Sequence, residues 1–241
     1  MLTIIPARMK ATRLPNKPLA DIAGKPMIVR VWEKAMKADL GSVLVATDSA
    51  DVISVITAVG GEAVLTSPDL PSGSDRVYEA LCHIDPDNKH DRIINLQGDL
   101  PELEPHYLHR LAALLEDDRW DITTLVAPAS EEEARKPQIV KAAIAWPDGN
   151  TSKAGRALYF SRAMIPDGEA ACYHHIGLYG WRRAALGRFV SLPESPLERS
   201  EKLEQLRALE HDMTIGVGYV DHAPGGVDTQ DDLDAARLRL G

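Results

Sequence analysis

Short aliphatic segments alternate with longer amphipathic segments through the first half of the chain, and this alternation limits the possible folds more than any other feature. Between the aliphatic runs, apolar residues recur at three- and four-residue spacing, which predicts helices with one buried face. The aliphatic runs are almost continuously apolar, as is typical of parallel strands covered on both sides. The alternation therefore predicts an α/β fold, with a mostly parallel sheet and helices on both of its faces. The predicted strands are LTIIPA (2–7), SVLVAT (42–47), EAVLT (62–66), RIINLQ (92–97) and DITTLVA (121–127), and the predicted helices span 26–38, 50–59, 73–83 and 105–116.

The second half of the chain contains more strand patterns than helix patterns, and Pro128, Pro137 and Pro147 mark the transition. We therefore predict one α/β domain over residues 1–241, with a smaller β-rich lobe around 130–190. Strands are predicted in KAAIAW (141–146), ALYFSR (157–162), YHHIGLYGW (173–181) and MTIGVGYV (213–220), and helices at roughly 195–210 and 229–240.

Composition and hydropathy disfavour several classes of protein. No apolar run approaches the ~20 residues of a membrane helix, and in the N-terminal segment the charges follow the apolar residues, which does not fit a signal peptide. The two cysteines have no CxxC spacing, so neither a disulfide framework nor a thiolate zinc site is supported. The net charge is −9, which disfavours nucleic acid as a partner. We expect a cytoplasmic protein that binds neither membranes nor nucleic acid.

A basic segment follows the first predicted strand. Arg8, Lys10, Arg13 and Lys17 lie close together there, and residues 1–30 contain six Lys and Arg against one acidic residue. In a parallel sheet the loop after this strand borders the ligand-binding edge. Arginine forms bidentate hydrogen bonds with phosphate oxygens, and lysine acts as a point charge. We therefore interpret the segment as a triphosphate-binding site and not as a merely solvated basic loop. The GxxxxGK[ST] motif is absent and no GxGxxG follows a strand, which disfavours kinase-like and dinucleotide-binding proteins.

Two aspartates occupy positions suited to a metal ion. Asp99, in QGDLP, follows an apolar strand and a glycine, where a parallel strand delivers a side chain to the ligand-binding edge. Asp228, in PGGVDTQDDL, precedes a predicted helix, so it is either a metal ligand or the N-cap, a role that Thr229 fills equally well. A reaction at the phosphorus of a nucleoside triphosphate needs Mg²⁺, which takes one or two carboxylates along with water and phosphate oxygens.

The segment PARMKATRLPNKPLADIAGKPMI resembles the N-terminus of the cytidylyltransferases that activate 3-deoxy-manno-octulosonate (Kdo), the CMP-Kdo synthetases. Further motifs resemble the same family: SG-[ST]-DR, QGD-x-P, LYFSRA-x-IP, H-IG-YG, SPLE…LEQLR and G-VDT-x-D-L. The matched motifs extend from residue 4 to residue 233, and the region 130–156 matches least. Leu100 departs from the family pattern, because an acidic residue more usually follows the first metal aspartate.

The resemblance implies a Rossmann-like sheet of the nucleotide-diphospho-sugar transferase type and a Mg²⁺-dependent enzyme. It implies that Kdo attacks the α-phosphorus of CTP to give CMP-Kdo and pyrophosphate for lipopolysaccharide biosynthesis, in a homodimer formed through the second lobe. The implied catalytic residues are Arg8, Arg13, Lys17, Asp99 and Asp228, of which the two aspartates hold the metal. The implied nucleotide contacts are Ala7, Arg8, Arg13, Lys17, Ser72, Arg76 and Gln97, and the implied Kdo contacts are Arg162, His175, Tyr179, Glu204 and Gln205.

Simpler interpretations of several residues stay open from the sequence alone. Ser72 suits a helix cap, and Asp48 suits the cap of the helix after the second strand. Arg162 suits a surface cation, and Glu204 and Gln205 lie off the apolar stripe of their predicted helix. Strand alternation places His175 and Tyr179 on one face.

Two other functions also stay open. One is a cytidylyltransferase for sialic acid or an amino-substituted Kdo, because one changed pocket residue can shift the choice of sugar. The other is a sugar-nucleotide-binding module without catalysis, which the two retained aspartates disfavour.

Overall fold

The computed structural model describes residues 1–10, 14–168 and 170–241, and the chain divides into two compact units. Unit 1 comprises Met1–His109 together with Pro224–Gly241, and unit 2 comprises Arg110–Ala223. Unit 2 encloses the predicted lobe at 130–190. Because unit 1 consists of two separate segments, unit 2 is an insertion within it.

Strands and helices alternate along the described residues, and no helix there is long and apolar enough to cross a membrane. The strands are β1 (Leu2–Ala7), β2 (Asp21–Ile22), β3 (Lys25–Pro26), β4 (Ser42–Thr47), β5 (Glu62–Leu65), β6 (Arg92–Asn95), β7 (Ile122–Pro128), β8 (Lys141–Ala145), β9 (Gly155–Ser161), β10 (Tyr173–Arg182) and β11 (Ile215–Tyr219). The helices are α1 (Met27–Lys37), α2 (Ala50–Ala58), α3 (Gly73–Ile84), α4 (Pro105–Leu114), α5 (Glu131–Ala134), α6 (Arg183–Ser191), α7 (Pro196–Glu201), α8 (Gln205–Glu210) and α9 (Gln230–Leu240).

The sheet of unit 1 is parallel. Four strands pair in the order β5-β4-β1-β6, and every residue of β1 is buried. Ala7, at the end of β1, pairs with Thr47 at the end of β4, so the carboxyl ends of neighbouring strands meet at one edge. The loops that carry Arg8 and Asp99 follow β1 and β6 at this edge. The parallel arrangement predicted for the first half of the chain is confirmed.

The C-terminal segment of unit 1 packs against the residues that follow β1. Apolar side chains from 14–27 and 227–236 form one buried cluster in which no member is more than 6% exposed. Each buried leucine, isoleucine, valine or methionine of the cluster contributes about 1.5–3 kcal/mol by leaving water. Leu14 and Val227 belong to this cluster, and Lys17 and Asp228 follow them closely in sequence. The cluster therefore holds two charged side chains from opposite ends of the chain near each other.

Unit 2 has a mixed sheet, in contrast to unit 1. Strands β7 and β11 pair in parallel, whereas β10 with β7, β9 with β11 and β8 with β9 are antiparallel. In β10, Ile176 lies opposite Leu125 and Tyr179 opposite Thr124, so two residues are extra. An insertion of two residues preserves strand alternation, which leaves His175 and Tyr179 on one face as predicted, with ring centroids 5.6 Å apart.

The predicted helix at 195–210 is in fact two helices, α7 and α8. The break lies at Lys202, which ends α7 with a left-handed φ of 56°. The spacing of the leucines continues through this residue, so periodicity alone does not predict the break. The sequence patterns also do not predict α5, α6 or the β2–β3 hairpin, which are short or weakly amphipathic.

Candidate active site

Lys17 lies between two aspartates at the carboxyl edge of the unit 1 sheet. Its Nζ is 2.6 Å from Asp99 Oδ2 and 2.7 Å from Asp228 Oδ1. The side chain of Lys17 is 14% exposed, while those of Asp99 and Asp228 are 32% and 48% exposed. The structure thus brings together three predicted catalytic residues, and both carboxylates keep part of their surface exposed to solvent.

Main-chain contacts fix the positions of the two carboxylates. A Cβ at Gly98 would lie 2.9 Å from the Pro6 carbonyl oxygen, so glycine is needed where the loop after β6 approaches the backbone of β1. The Val227 N–H donates to the Asp99 carbonyl oxygen at 3.0 Å. This hydrogen bond joins the loop after β6 to the C-terminal segment directly beside both aspartates.

The helix after Asp228 is capped by its neighbour. Thr229 is the N-cap of α9, and its side chain accepts a hydrogen bond from the Asp232 N–H in a capping box. Asp232 Oδ2 in turn accepts from the backbone N–H groups of Asp228 and Thr229. The side-chain cap of α9 is therefore Thr229 and not Asp228, whose carboxylate accepts a hydrogen bond from the Lys17 ammonium.

Electrostatics favour a cation between the aspartates. Burial by itself lowers the pKa of Lys17, but the charges and hydrogen bonds of Asp99 and Asp228 outweigh it, so the pKa lies above its ordinary value. The ion pairs of Lys17 therefore stabilise the folded state. This contribution is complete below the pKa of lysine in the unfolded chain, and it is lost as the pH rises through the higher pKa of Lys17 in the folded chain. Within the described ranges, no group of three or more His, Cys, Asp or Glu side chains is arranged to hold a metal. A metal at this edge would therefore depend on these two carboxylates together with ligands from a substrate.

The predicted nucleotide residues that the structure describes lie in unit 1. Arg8 is exposed, and Gln97 donates through Nε2 to Asn95 Oδ1 at 3.2 Å. Ser72 is the N-cap of α3, where its side chain accepts from the Asp75 N–H and donates to the Asp75 carboxylate. The simpler interpretation of Ser72 as a cap therefore describes its hydroxyl correctly. Ala7 is buried at the end of β1, and Arg13 lies outside the described residues.

Arg76 is buried beside a carboxylate to which we assigned no binding role. Its side chain is 3% exposed, Nη1 donates to Thr66 Oγ1, and Nη2 is 3.8 Å from Asp48 Oδ2. Asp48 Oδ1 also accepts from the Met9 N–H at 3.0 Å. The prediction that Asp48 caps α2 is wrong, because Ser49 is the N-cap. Asp48 instead connects the basic segment after β1 to Arg76.

The predicted Kdo residues all lie in unit 2. Arg162 is partly buried, and its guanidinium donates to three backbone carbonyls: Nε to Glu201 at 2.9 Å, Nη1 to Pro137 at 3.2 Å and Nη2 to Lys202 at 3.3 Å. Its backbone N–H donates to Glu201 Oε2 at 2.9 Å. Arg162 is therefore a fixed cation rather than a freely solvated one, and a guanidinium with five N–H donors keeps two for other partners.

His175 and Tyr179 are buried side by side in unit 2. His175 is 6% exposed, and its Nε2 lies 2.9 Å from Thr124 Oγ1. Burial, and secondarily the charge of Glu204, raises the pKa of Tyr179 well above its ordinary value. Gln205 is only 5% exposed, so its side chain is buried although it lies off the apolar stripe of the predicted helix.

A buried ion pair connects the two helices that carry these residues. Arg207 in α8 donates to both carboxylate oxygens of Glu198 in α7, with distances of 2.5 and 2.8 Å. Both side chains are less than a tenth exposed. The paired oxygens hold α7 and α8 at a fixed angle around the break at Lys202, which positions Glu201 and Glu204.

Comparison with known proteins identifies the family to which this chain belongs. The sequence profile of the cytidylyltransferase family matches residues 2–215. A 3-deoxy-manno-octulosonate cytidylyltransferase from Parvibaculum lavamentivorans is 55% identical over 99% of this chain and 92% of its own length. The corresponding protein of Bradyrhizobium sp. (strain ORS 278) is 55% identical over 100% of this chain and 97% of its own. The chain belongs to the 3-deoxy-manno-octulosonate cytidylyltransferase family.

A solved structure extends this agreement to three dimensions. The structure of a CMP:2-keto-3-deoxy-manno-octonic acid synthetase complexed with CTP is 39% identical to this cytidylyltransferase chain. The match covers 99% of this chain and 97% of the solved chain, and the TM-score is 0.89. The predicted fold class and family resemblance are thereby confirmed.

Sequence reasoning assigned no functional role to two carboxylates of this cytidylyltransferase chain. Asp48 holds the Met9 N–H and faces Arg76, and its place at the end of β4, beside β1, was the available signal. Glu201 accepts hydrogen bonds from Ser161 Oγ and from the Arg162 N–H. Its contacts cross about forty residues of sequence, and nothing in the pattern around it distinguishes it from a solvent-exposed helix residue.

The buried imidazole of His175 predicts an acid-sensitive fold. Burial, and to a lesser degree the neighbouring His174, lowers the pKa of His175 from 6.5 to about 3. Between these values the unfolded chain binds a proton at His175 that the folded chain excludes. The free energy of unfolding should therefore fall as the pH is lowered through this window, by at most about 1.4 kcal/mol per pH unit for this residue.

Urea unfolding of the wild type and of His175→Gln between pH 7 and pH 4 measures this effect. The variant should show a shallower dependence on pH, whereas His109→Gln, which changes an exposed histidine, should keep the slope of the wild type. Identical slopes for all three proteins would contradict the assignment of a neutral, buried imidazole.

Proposed function

We propose that the chain is a cytoplasmic, Mg²⁺-dependent cytidylyltransferase that joins CTP and Kdo. The anomeric hydroxyl oxygen of Kdo forms a bond to the α-phosphorus of CTP, and the bond from that phosphorus to the β-phosphate oxygen breaks. The hydroxyl proton is released to water, and CMP-Kdo and pyrophosphate leave as products for lipopolysaccharide biosynthesis. The contact of Lys17 with both Asp99 and Asp228 carries this proposal, in combination with family membership.

The two aspartates fit a magnesium ion. Their oxygens converge on one cation, the Lys17 ammonium, and both carboxylates are partly exposed. Carboxylate oxygens are the ligands that Mg²⁺ prefers, and it usually takes only one or two of them from a protein. When bound, Mg²⁺ neutralises charge on phosphate oxygens and lowers the pKa of a coordinated hydroxyl. Leu100, buried after Asp99, adds no carboxylate to this site.

The cations of unit 1 act on the triphosphate. Lys17 has a raised pKa and stays protonated at neutral pH, so it stabilises charge that develops on the leaving pyrophosphate. Arg8 is exposed at the same edge and is free to grip phosphate oxygens, a role that we also propose for Arg13. Arg76, Ser72, Ala7 and Gln97 bind the nucleoside part. Positioning and electrostatic stabilisation account for catalysis of this kind.

The residues of unit 2 bind the sugar acid. Arg162 offers a fixed cation for the Kdo carboxylate, and its two remaining donors match a carboxylate. His175, Tyr179, Glu204 and Gln205 supply donors and acceptors for hydroxyl groups. We further propose that the enzyme acts as a homodimer formed through unit 2.

The decisive experiment measures pyrophosphate release from CTP and Kdo in the presence of MgCl₂. Parallel reactions offer sialic acid and amino-substituted Kdo, and a further reaction contains EDTA. We expect turnover with Kdo that EDTA abolishes. Turnover with another sugar acid but not with Kdo would refute the proposed substrate, and turnover that withstands EDTA would refute the metal requirement.

The contact of Asp48 with both Met9 and Arg76 predicts a specific defect in nucleotide binding. Asp48→Asn keeps an acceptor for the Met9 N–H but removes the negative charge facing buried Arg76. We expect the KM for CTP to rise about tenfold, the cost of one lost charge-assisted contact, with little change in the KM for Kdo. Steady-state kinetics with each substrate varied in turn measures this difference. Asp51→Asn, at an exposed position three residues later, is the control, and equal increases of both KM values would contradict the prediction.

A further inference from the structure

Lys141 is a fully buried lysine whose ammonium is held by backbone carbonyls. The residue is 0% exposed, and its Nζ donates to the carbonyl oxygens of Arg162 at 2.6 Å, Ile139 at 2.7 Å and Lys136 at 3.0 Å. We propose that Lys141 is a positioning residue of the sugar site, which fixes segment 136–139 against Arg162. This inference rests on the proposed function, because it assumes that Arg162 binds the Kdo carboxylate.

The three acceptors use the full bonding capacity of the ammonium. A lysine ammonium has three N–H donors, and each of them reaches a carbonyl oxygen here. Burying a charge without partners is costly, so a lysine in this position is tolerated only where such oxygens converge. Without the ammonium, the Arg162 and Ile139 carbonyls would lose this charged donor, and the Lys136 carbonyl would keep only the Ile139 N–H at 3.1 Å. The charge is thus required to keep segment 136–139 and the end of β9 together.

The contacts between this segment and Arg162 run in both directions. Lys141 donates to the Arg162 carbonyl, and the Arg162 guanidinium donates back to the Pro137 carbonyl at 3.2 Å. On its other side, Arg162 is held by Glu201, through both the backbone N–H and Nε. Arg162 is therefore clamped between Lys141 and Glu201. Releasing one side would allow its guanidinium to move.

The same segment also supports a second residue of the sugar site. The His175 N–H donates to the Val140 carbonyl oxygen at 2.8 Å, directly before Lys141. Lys141 itself lies opposite His174 in the pairing of β8 with β10. Residues 136–141 thus contact the backbone at both Arg162 and His175, which gives a role to part of the region that sequence motifs leave unassigned.

The test compares Lys141→Met with Lys136→Met in steady-state kinetics. Methionine keeps much of the volume of lysine without its charge, and Lys136 is a partly exposed lysine in the same segment whose ammonium pairs with Glu132. We expect Lys141→Met to raise the KM for Kdo about tenfold or more while the KM for CTP stays within about twofold, since the lost contacts lie at the sugar side. Lys136→Met should leave both values unchanged.

Chemical rescue separates a positioning role from a general loss of structure. Lys141→Ala lacks a propylammonium group, so added n-propylammonium should lower its KM for Kdo, whereas tetramethylammonium, which has no N–H donors, should not. The rescue of Lys141→Ala also tests the positioning role of Lys141 if Lys141→Met does not fold. A KM for Kdo that n-propylammonium leaves unchanged in Lys141→Ala overturns the proposal. Normal Kdo kinetics in Lys141→Met overturns it too, as do equal increases for both substrates.

Failure of this inference is distinguishable from failure of the proposed function. A wild-type enzyme that does not turn over Kdo contradicts the proposed function before any variant is compared. A wild type that uses Kdo, together with a Lys141→Met variant of unchanged kinetics, contradicts only the role of Lys141.

Discussion

Asp99→Asn is expected to lower kcat about a thousandfold, because a carboxylate at a metal-assisted phosphoryl transfer supplies several kcal/mol of transition-state stabilisation. The substitution preserves the size of the side chain and removes its charge. Of the two carboxylates that contact Lys17, only Asp228, at 2.7 Å, would then keep its negative charge. Asp228→Asn should have a comparable effect, and the double variant should be little worse than either single variant, since the two carboxylates act on one cation.

Initial rates at saturating CTP and Kdo measure this effect. Asp87→Asn is the matched control, because Asp87 is an exposed aspartate in unit 1 that pairs only with exposed Lys89 among the contacts described. Circular dichroism and thermal unfolding verify that each variant is folded. Turnover close to that of the wild type in both Asp99→Asn and Asp228→Asn would remove these residues from the proposed metal site.

Glu198→Gln is expected to produce the largest loss of stability, about 3–5 kcal/mol, because it removes the negative charge that faces the buried Arg207 guanidinium through two hydrogen bonds. Both side chains are less than a tenth exposed, and the guanidinium also lies over the Phe189 ring at 4.8 Å, where water cannot replace the lost carboxylate. Since the pair holds α7 to α8, we also expect a higher KM for Kdo in the folded fraction. The free energy of unfolding in urea measures the stability change.

Glu194→Gln provides the control for this substitution. Glu194 pairs with Arg199 at 4.0 Å, and both side chains are more than half exposed. An exposed pair of this kind contributes little, so this variant should differ from the wild type by less than about 0.5 kcal/mol. Equal stabilities for Glu198→Gln and Glu194→Gln would show that the buried pair is not needed to hold α7 and α8.

The parallel half of the fold follows from local sequence patterns. Continuous apolar runs such as LTIIPA predict buried strands, and the spacing of apolar residues predicts α1 to α4 close to their observed bounds. The edge at which strands end also predicts where Asp99 and the basic segment lie. Lys17 and Asp228 are 211 residues apart, and their contact follows from the sequence only through the family motifs that contain both.

Residues whose importance depends on burial were harder to predict. Lys141, Glu201 and Asp48 have ordinary surface-type side chains, and each acquires its role from partners that the fold brings in from elsewhere. The break at Lys202 is a further example. It depends on one left-handed residue, and a lysine gives no sign of that conformation, whereas a glycine would.

The two-segment composition of unit 1 bears on how the enzyme is made. The ribosome synthesises a chain from its N-terminus, so Lys17 and Asp99 emerge before unit 2, whereas Asp228 and α9 emerge only after the whole of unit 2. Folding of unit 1 must therefore close over about one hundred intervening residues, a non-local step of the kind that slows folding. A chain that stalls before residue 224 carries the basic segment and one aspartate but not the second. Such a fragment would hold only half of the cation site, so premature products of translation should be unable to consume CTP.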